Sequence, residues 1–209
     1  IDFNIRAGNT LVGFSTEVEL KRGLDYTLDG RAVAPIIEEK CDVVAKTFAL
    51  YKEIQLSYGD NFKDFKSAKE ELNKRLKELN HELNQLLHKQ ASSIKYETWL
   101  QSHQPFHWFA EFYEIIHDKG GFDVIIGNPP YVEYSKVRNN YTIKNYSTES
   151  CGNLYAFVME KMMNLCHEGS YTSFIVPLAG VSTDRMMSLQ KLLIAKNQFL
   201  VSVFVESTS

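Results

Sequence analysis

Residues 128–131, Asn-Pro-Pro-Tyr, follow a short apolar run within GFDVIIGNPPYVEY (residues 121–134). Proline has no backbone N–H and locks φ, so two in succession end a β-ladder and make a rigid exit from it. These residue types suit the handling of a planar, conjugated amino group, whose nitrogen is a poor nucleophile. Two acceptors aimed at its two N–H bonds would draw it toward tetrahedral geometry and stabilise the positive charge that grows on it during transfer. The Asn128 side-chain oxygen is one such acceptor. The Pro129 carbonyl is the other: Pro129 and Pro130 hold the peptide rigid, and Asn128, preceding a proline, is biased to an extended backbone. Tyr131 adds a flat face on which a ring can stack. No serine or cysteine nucleophile is needed. The plainer alternative is a Pro-Pro turn with Tyr131 in the core; by chance the tetrapeptide turns up in roughly one chain in a thousand of this length.

Directly after this stretch, residues 134–148 interleave Lys136, Arg138 and Lys144 with Tyr134, Tyr141 and Tyr146, without an acidic residue. Cations suit a phosphate backbone and rings suit unstacked bases, so the segment is a candidate DNA contact, with an exposed polar loop as the alternative. His103 and His107 stand four apart, but Pro105 lies between them and no third ligand is spaced to join, so no metal site is expected. Cys41, Cys151 and Cys166 form no C-x-x-C pair and read as reduced thiols. The five methionines read as packing between helices and sheet.

The elements that must position these residues alternate. Residues 122–126 read as a short buried strand between glycines, 171–177 as a second after an EGS turn, and 199–206 as a third. Helical periodicity covers 153–167 and 186–196. Strands alternating with helices imply an α/β fold with a largely parallel sheet, and ligands of such sheets bind off the carboxyl ends of strands, where Asn128 lies. Residues 1–14 read as a strand closed by a Gly8-Asn9 turn, and 22–31 as a polar link. Ile37, Cys41, Val44, Phe48 and Tyr51, then Leu72, Leu76, Leu79, Leu83 and Leu86, recur at spacings of four and three, which predicts two helices in an antiparallel hairpin around a turn at 57–61. With 209 residues, 44% hydrophobic, a net charge of −3 and a pI near 6.1, the chain reads as a soluble, cytoplasmic globular protein without the bulk positive charge of a nucleic-acid binder. No apolar run approaches the roughly 20 residues of a membrane span, and no signal peptide opens the chain.

Together these segments resemble the S-adenosylmethionine-dependent amino-methyltransferases, in particular the adenine-specific DNA methyltransferases of the type IIG restriction-modification and phage-defence kind. FHWFAEFYEIIHDKGGFDVIIGNPPYVEY is similar to their motif IV with its lead-in, NLYAFVMEK to motif V, GSYTSFIVP to motif VI, and NIRAGNTLVGF to the stretch carrying motif III. The resemblance implies S-adenosylmethionine as cofactor and double-stranded DNA as partner. It makes Asn128 and the Pro129 carbonyl, held by Pro130, the acceptors for the adenine amino group, and Tyr131 the stacking ring. Asn9 takes a place that is often acidic in the family and hydrogen-bonds the cofactor's adenine; an amide can still accept there. Leu154 and Phe157 would line the cofactor pocket, and each is equally well explained as an ordinary core residue. The implied fold is a partial Rossmann-like methyltransferase core, residues 1–32 and 96–209, interrupted by an α-helical hairpin insertion over 33–95.

The family's glycine-rich cofactor motif and a downstream target-recognition domain do not occur in this sequence, so the chain is expected to be part of a larger enzyme and inactive alone. In the family's strand order, 3-2-1-4-5-7-6, strands 1 and 2 would lie between the segment near Asn9 and residues 122–126. The catalytic strand would then keep an unpaired edge, and this edge or the hairpin is a candidate surface for self-association. Two alternatives remain. NPPY also serves methyltransferases of a protein glutamine amide or of RNA bases, and a reading from another class is a non-catalytic assembly module built on the hairpin, with the NPPY site vestigial.

Overall fold

A computed structural model describes residues 5–25, 30–56, 62–91, 94–195 and 200–204. The chain divides into two compact units, residues 1–122 and 123–209.

The first unit is helical: α1 (Glu17–Asp25), α2 (Gly30–Leu56), α3 (Phe62–Ala91), α4 (Tyr96–His103), α5 (Trp108–Glu111) and a π-helical turn at Glu114–Asp118. The hairpin predicted from the leucine spacing is α2 with α3; its turn at 57–61 lies outside the described residues. Ile37, Cys41, Val44 and Tyr51 of α2 pack with Leu72, Leu76, Leu79, Leu83 and Leu86 of α3. Phe14, Leu20, Leu24, Phe109, Ala110 and Tyr113 complete the same cluster, so the hairpin shares one core with the segments before and after it. Burial of that many large side chains, at about 1.5–3 kcal/mol each, is what holds these helices in place.

Two expectations for the N-terminal region are corrected. The polar link over 22–31 is in part helix, because α1 runs to Asp25. Its start is a T-x-x-E capping arrangement: Thr16 Oγ1 accepts from the Glu19 N–H at 3.3 Å, and the Glu19 carboxylate accepts from the Ser15 N–H at 2.7 Å. The strand expected within residues 1–14 is absent from its described part, residues 5–14, which makes only an isolated parallel bridge between Asn9 and Pro105. Pro105 has no N–H with which to extend a ladder. The two segments instead run together irregularly, with Asn9 N–H on the Gln104 carbonyl at 2.7 Å and Phe106 N–H on that of Val12 at 2.7 Å. Gly13 is required here: its φ is +126°, and a Cβ would collide with the Phe106 carbonyl.

The second unit mixes helix and strand. After β1 (Phe122–Gly127) come α6 (Tyr134–Val137), α7 (Leu154–Asn164), β2 (Cys166–Phe174), α8 (Ala179–Ser182) and α9 (Met187–Ile194), with 3₁₀ turns at Glu149–Cys151 and Asp184–Met186. β1 and β2 form a two-stranded parallel sheet, with α7 as the helix of the crossover. Leu154 through Met163 of α7 are all buried, the signature of a central helix enclosed on every side. Asn153 caps it, its Oδ1 accepting from the Tyr155 N–H. Tyr155, Ala156, Met159 and Met163 pack with Met186, Leu189 and Leu193, and Phe174 lies against them.

Three strand expectations change. β2 starts at Cys166, so Glu168-Gly169-Ser170 is strand rather than turn. Residues 200–204, the described part of the expected third strand, join no sheet. β1 is not buried: Val124 and Ile126 are 54% and 79% exposed. They alternate with Ile125 and Gly127, and Gly127 is the position that abuts Phe174, so core packing covers the opposite face of the sheet.

Candidate functional site

Asn128-Pro129-Pro130-Tyr131 leaves the carboxyl end of β1. The strand end is fixed by the Gly127 carbonyl, which accepts from the Ile175 N–H at 3.1 Å and so ties it to the residue after β2. A Cβ on Gly127 would stand 3.3 Å from the Phe174 ring, so a small residue suits this closure. Pro129 is buried, whereas Asn128, Pro130 and Tyr131 are exposed. Among the described residues no protein donor reaches the Pro129 carbonyl. The Tyr131 hydroxyl lies 2.8 Å from Asn128 Oδ1 and 2.9 Å from the Ile175 carbonyl oxygen. A single O–H proton serves one of these at a time, so Asn128 Oδ1 keeps accepting capacity in either state. The Tyr131 ring is 49% exposed and meets the buried Tyr155 ring edge to face, centroids 6.3 Å apart.

The exit from the motif is clamped to the start of α7. Leu154 N–H donates to the Val132 carbonyl and Tyr134 N–H to that of Gly152, both at 2.8 Å, around an antiparallel bridge between Glu133 and Asn153. The Glu133 carboxylate accepts from Arg185 Nη1 at 3.2 Å and Nη2 at 2.5 Å. These hydrogen bonds hold the Glu133 carboxyl below its ordinary range.

The following loop is pinned from below. The buried Glu160 carboxylate of α7 accepts from the Ser147 N–H at 2.9 Å, the Thr148 N–H at 2.9 Å and the Thr148 hydroxyl at 2.7 Å. The Tyr134 hydroxyl accepts from the Ile143 N–H at 2.8 Å. The Tyr134 and Tyr146 rings each stand edge-on to Phe157, at 5.4 Å. The Tyr134 and Tyr146 rings of the basic–aromatic strip are therefore engaged by the fold, while Lys136, Arg138 and Lys144 are exposed. In the sequence the only signal for Glu160 is a charged pair, Glu160-Lys161, within the otherwise apolar run LYAFVMEKMM.

Leu154 and Phe157 both lie in the interior of this unit, Phe157 beneath those two rings. Asn9 belongs to the first unit, half-buried, with its Oδ1 accepting from the Leu11 N–H at 3.1 Å. In that unit His107 is spent on structure: Nδ1 accepts from the Phe14 N–H at 3.1 Å, which leaves Nε2–H to donate to Asn84 Oδ1 at 2.9 Å. No group of three or more His, Cys, Asp or Glu among the described residues is arranged to hold a metal ion. Among them, too, no helix is long and apolar enough to cross a membrane.

Chemically, the exposed Asn128 side chain and the half-exposed Tyr131 stand together at the carboxyl end of β1, groups able to meet a planar amino group. The family described as Eco57I restriction-modification methylase matches residues 24–208. A protein of Methanocaldococcus jannaschii named putative type II restriction enzyme and methyltransferase RM.MjaORFECS2P is 25% identical over 94% of this chain and 20% of its own length. The type II methyltransferases M.HincII and M.HindII of Haemophilus influenzae are each 32% identical over 40% of this chain, and over 18% and 17% of their own lengths. The chain thus spans at most a fifth of the length of these relatives. No solved structure matches it.

Proposed function

Because the chain belongs to the Eco57I restriction-modification methylase family, we propose that it carries the amino-acceptor site of an S-adenosylmethionine-dependent DNA methyltransferase acting on N6 of adenine. The observation that supports this most is the exposed Asn128 side chain at the carboxyl end of β1, followed in the chain by a Pro129 carbonyl that takes no donor among the described residues. An adenine flipped out of double-stranded DNA would place its amino group between these acceptors and its ring against Tyr131. Pro129 and Pro130 keep the two oxygens from relaxing as charge develops on the nitrogen. Bound cofactor supplies the electrophilic methyl group on its sulfonium. The exposed Lys136, Arg138 and Lys144 hold the phosphate backbone beside the site.

Asn9 in the first unit, and separately Leu154 and Phe157 in the second, are the residues proposed for cofactor binding. The parallel β1–α7–β2 crossover is compatible with one repeat of the Rossmann-like sheet that this reading requires, and the α2–α3 hairpin precedes it in the chain. The bare Val124 and Ile126 face leaves self-association open as a property of this piece of the fold. A glutamine amide or an RNA base would meet the same two acceptors; the restriction-modification family favours DNA adenine.

The test is methyl transfer to double-stranded DNA by the full-length protein, with the product base identified by mass spectrometry. Asn128→Ala removes one acceptor and should lower the single-turnover rate by about 10²–10³-fold. A variant within about tenfold of the parent, or methyl appearing on cytosine or on protein, refutes the assignment.

A further inference from the structure

The two prolines make residues 128–131 stiff, but a stiff segment can still pivot as a body about its ends. Its entry is tied by the Gly127 carbonyl to Ile175. Its exit depends on Val132, Glu133 and Tyr134, and these carry two backbone bonds to the α7 cap together with the Glu133–Arg185 pair. We infer that Arg185 and Glu133 are a positioning pair, which sets the angle at which Asn128 and Tyr131 meet the target amino group. The inference rests on the reading of this site as an amino-methyl transfer site.

Four observations around the pair converge. The contact is bidentate, each guanidinium Nη facing one carboxylate oxygen, a geometry that fixes orientation as well as distance. The backbone bridge between Glu133 and Asn153 sets the direction of the Glu133 side chain, and Asn153 Nδ2 approaches the same carboxylate at 3.4 Å. Gly152, at φ +64°, lets the guanidinium lie flush against the chain: a Cβ there would stand 2.5 Å from Arg185 Nη2. Arg185 itself comes from the 3₁₀ turn between α8 and α9, whose Met186 sits in the core with Tyr155, the residue that backs the Tyr131 ring. The pair therefore joins three segments, the motif exit, the α7 cap and the α8–α9 turn, within two residues of Tyr131.

Both side chains are partly exposed, at 51% and 38%, and an ion pair so placed contributes little to global stability. Its effect belongs to geometry, where a displacement of about 1 Å at a reacting group costs on the order of 10²-fold in rate. Arg185 reaches neither substrate nor cofactor in this account and acts through Glu133.

The experiment uses the full-length methyltransferase and compares single-turnover methyl transfer, DNA affinity and thermal midpoint for the parent, Glu133→Arg, Arg185→Glu and the double exchange. Each single change should slow transfer about ten- to a hundredfold at saturating DNA while the thermal midpoint holds. The exchange of both should bring the rate back to within about threefold of the parent, as expected of residues coupled through one contact. Single variants that keep the parental rate, or a double exchange no faster than the singles, overturn the positioning pair alone. A parent enzyme that transfers no methyl group to adenine overturns the site assignment and the pair with it.

Discussion

Replacing Glu160 by Gln should loosen the loop that carries the basic residues while leaving the rest of the second unit folded. The buried carboxylate accepts three hydrogen bonds, from the Ser147 and Thr148 N–H groups and the Thr148 hydroxyl. Hydrogen bonds to a charged acceptor contribute about 1.5–3 kcal/mol each, and a buried donor left without a partner costs about 1–3 kcal/mol. Glutamine keeps one acceptor oxygen and turns an NH₂ toward a donor: with its oxygen on Thr148 the Ser147 N–H loses its partner, and with its oxygen on Ser147 the Thr148 N–H loses its partner while the Thr148 hydroxyl must accept instead. About 3 kcal/mol is a fair sum for bonds that are not additive, and at 1.4 kcal/mol per decade it makes the open loop about a hundredfold more populated. Amide hydrogen exchange is the assay, because Ser147 and Thr148 contribute the very N–H groups that Glu160 holds. Their exchange should accelerate by about a hundredfold, whereas amides within α7 change by less than about threefold. Equal exchange of Ser147 and Thr148 in both proteins would show that Glu160 does not hold the loop, and would remove the structural basis for treating 134–148 as an ordered surface.

Other consequences can be measured separately. Gly13→Ala forces a Cβ into the Phe106 carbonyl at a φ of +126°, so a loss of about 3 kcal/mol or more is expected, read as a lower urea midpoint. Burial, with Asp42 and Glu38 adding to it, pushes the Cys41 thiol up to about 12, so iodoacetamide should label the half-buried Cys166 at least about tenfold faster than Cys41 in the native protein. The His167 imidazole is held above its ordinary value of 6.5, first by its bond to the Glu168 carbonyl and then by Asp123 on β1. A raised folded value gives a contribution that is complete below the unfolded value and fades as pH rises through the folded one; the stability lost as pH rises above 6.5 should therefore shrink in His167→Gln. Reversing the charge of Lys136 and Arg138 in the full-length protein should weaken DNA binding across all sequences and lower the salt slope by about two.

The hairpin was legible because its apolar stripes are long and regular, and nothing outside α2 and α3 is needed to see them. α1 was passed over for a different reason. Gly23 and the charged residues around it read as a link, although Thr16 and Glu19 already stood at capping-box spacing and Leu20 and Leu24 one helical turn apart. A glycine inside a helix is tolerated when tertiary contacts outweigh its propensity. Here a Cβ at position 23 would press on the Phe14 ring and on Gln90, which donates to the Gly23 carbonyl. β2 illustrates the same limit: Gly169 suggested a turn, yet it takes φ +86° within the strand. The exposure of Val124 and Ile126 could not be read from FDVII at all, because burial belongs to whatever covers a face and not to the strand that presents it.

The site divides along the same line. The rigidity of Asn128-Pro129-Pro130-Tyr131 is a property of four adjacent residues and is visible in the sequence; the partners that fix its direction, Ile175, Tyr155 and Arg185, come from distant segments and are not. The basic–aromatic strip shows what such distance changes. Read locally, its cations and rings form one surface for phosphates and bases. In the fold, Phe157 draws Tyr134 and Tyr146 against the interior, and Lys136, Arg138 and Lys144 are left outward. DNA held by this loop would be held mainly through its phosphates, by contacts that depend on salt and are indifferent to sequence. Tyr131, beside Asn128, is half-exposed, so in the proposed function stacking with a target base would fall to a residue of the motif itself. Grip and base recognition are then separable, and a substitution that weakens one need not touch the other.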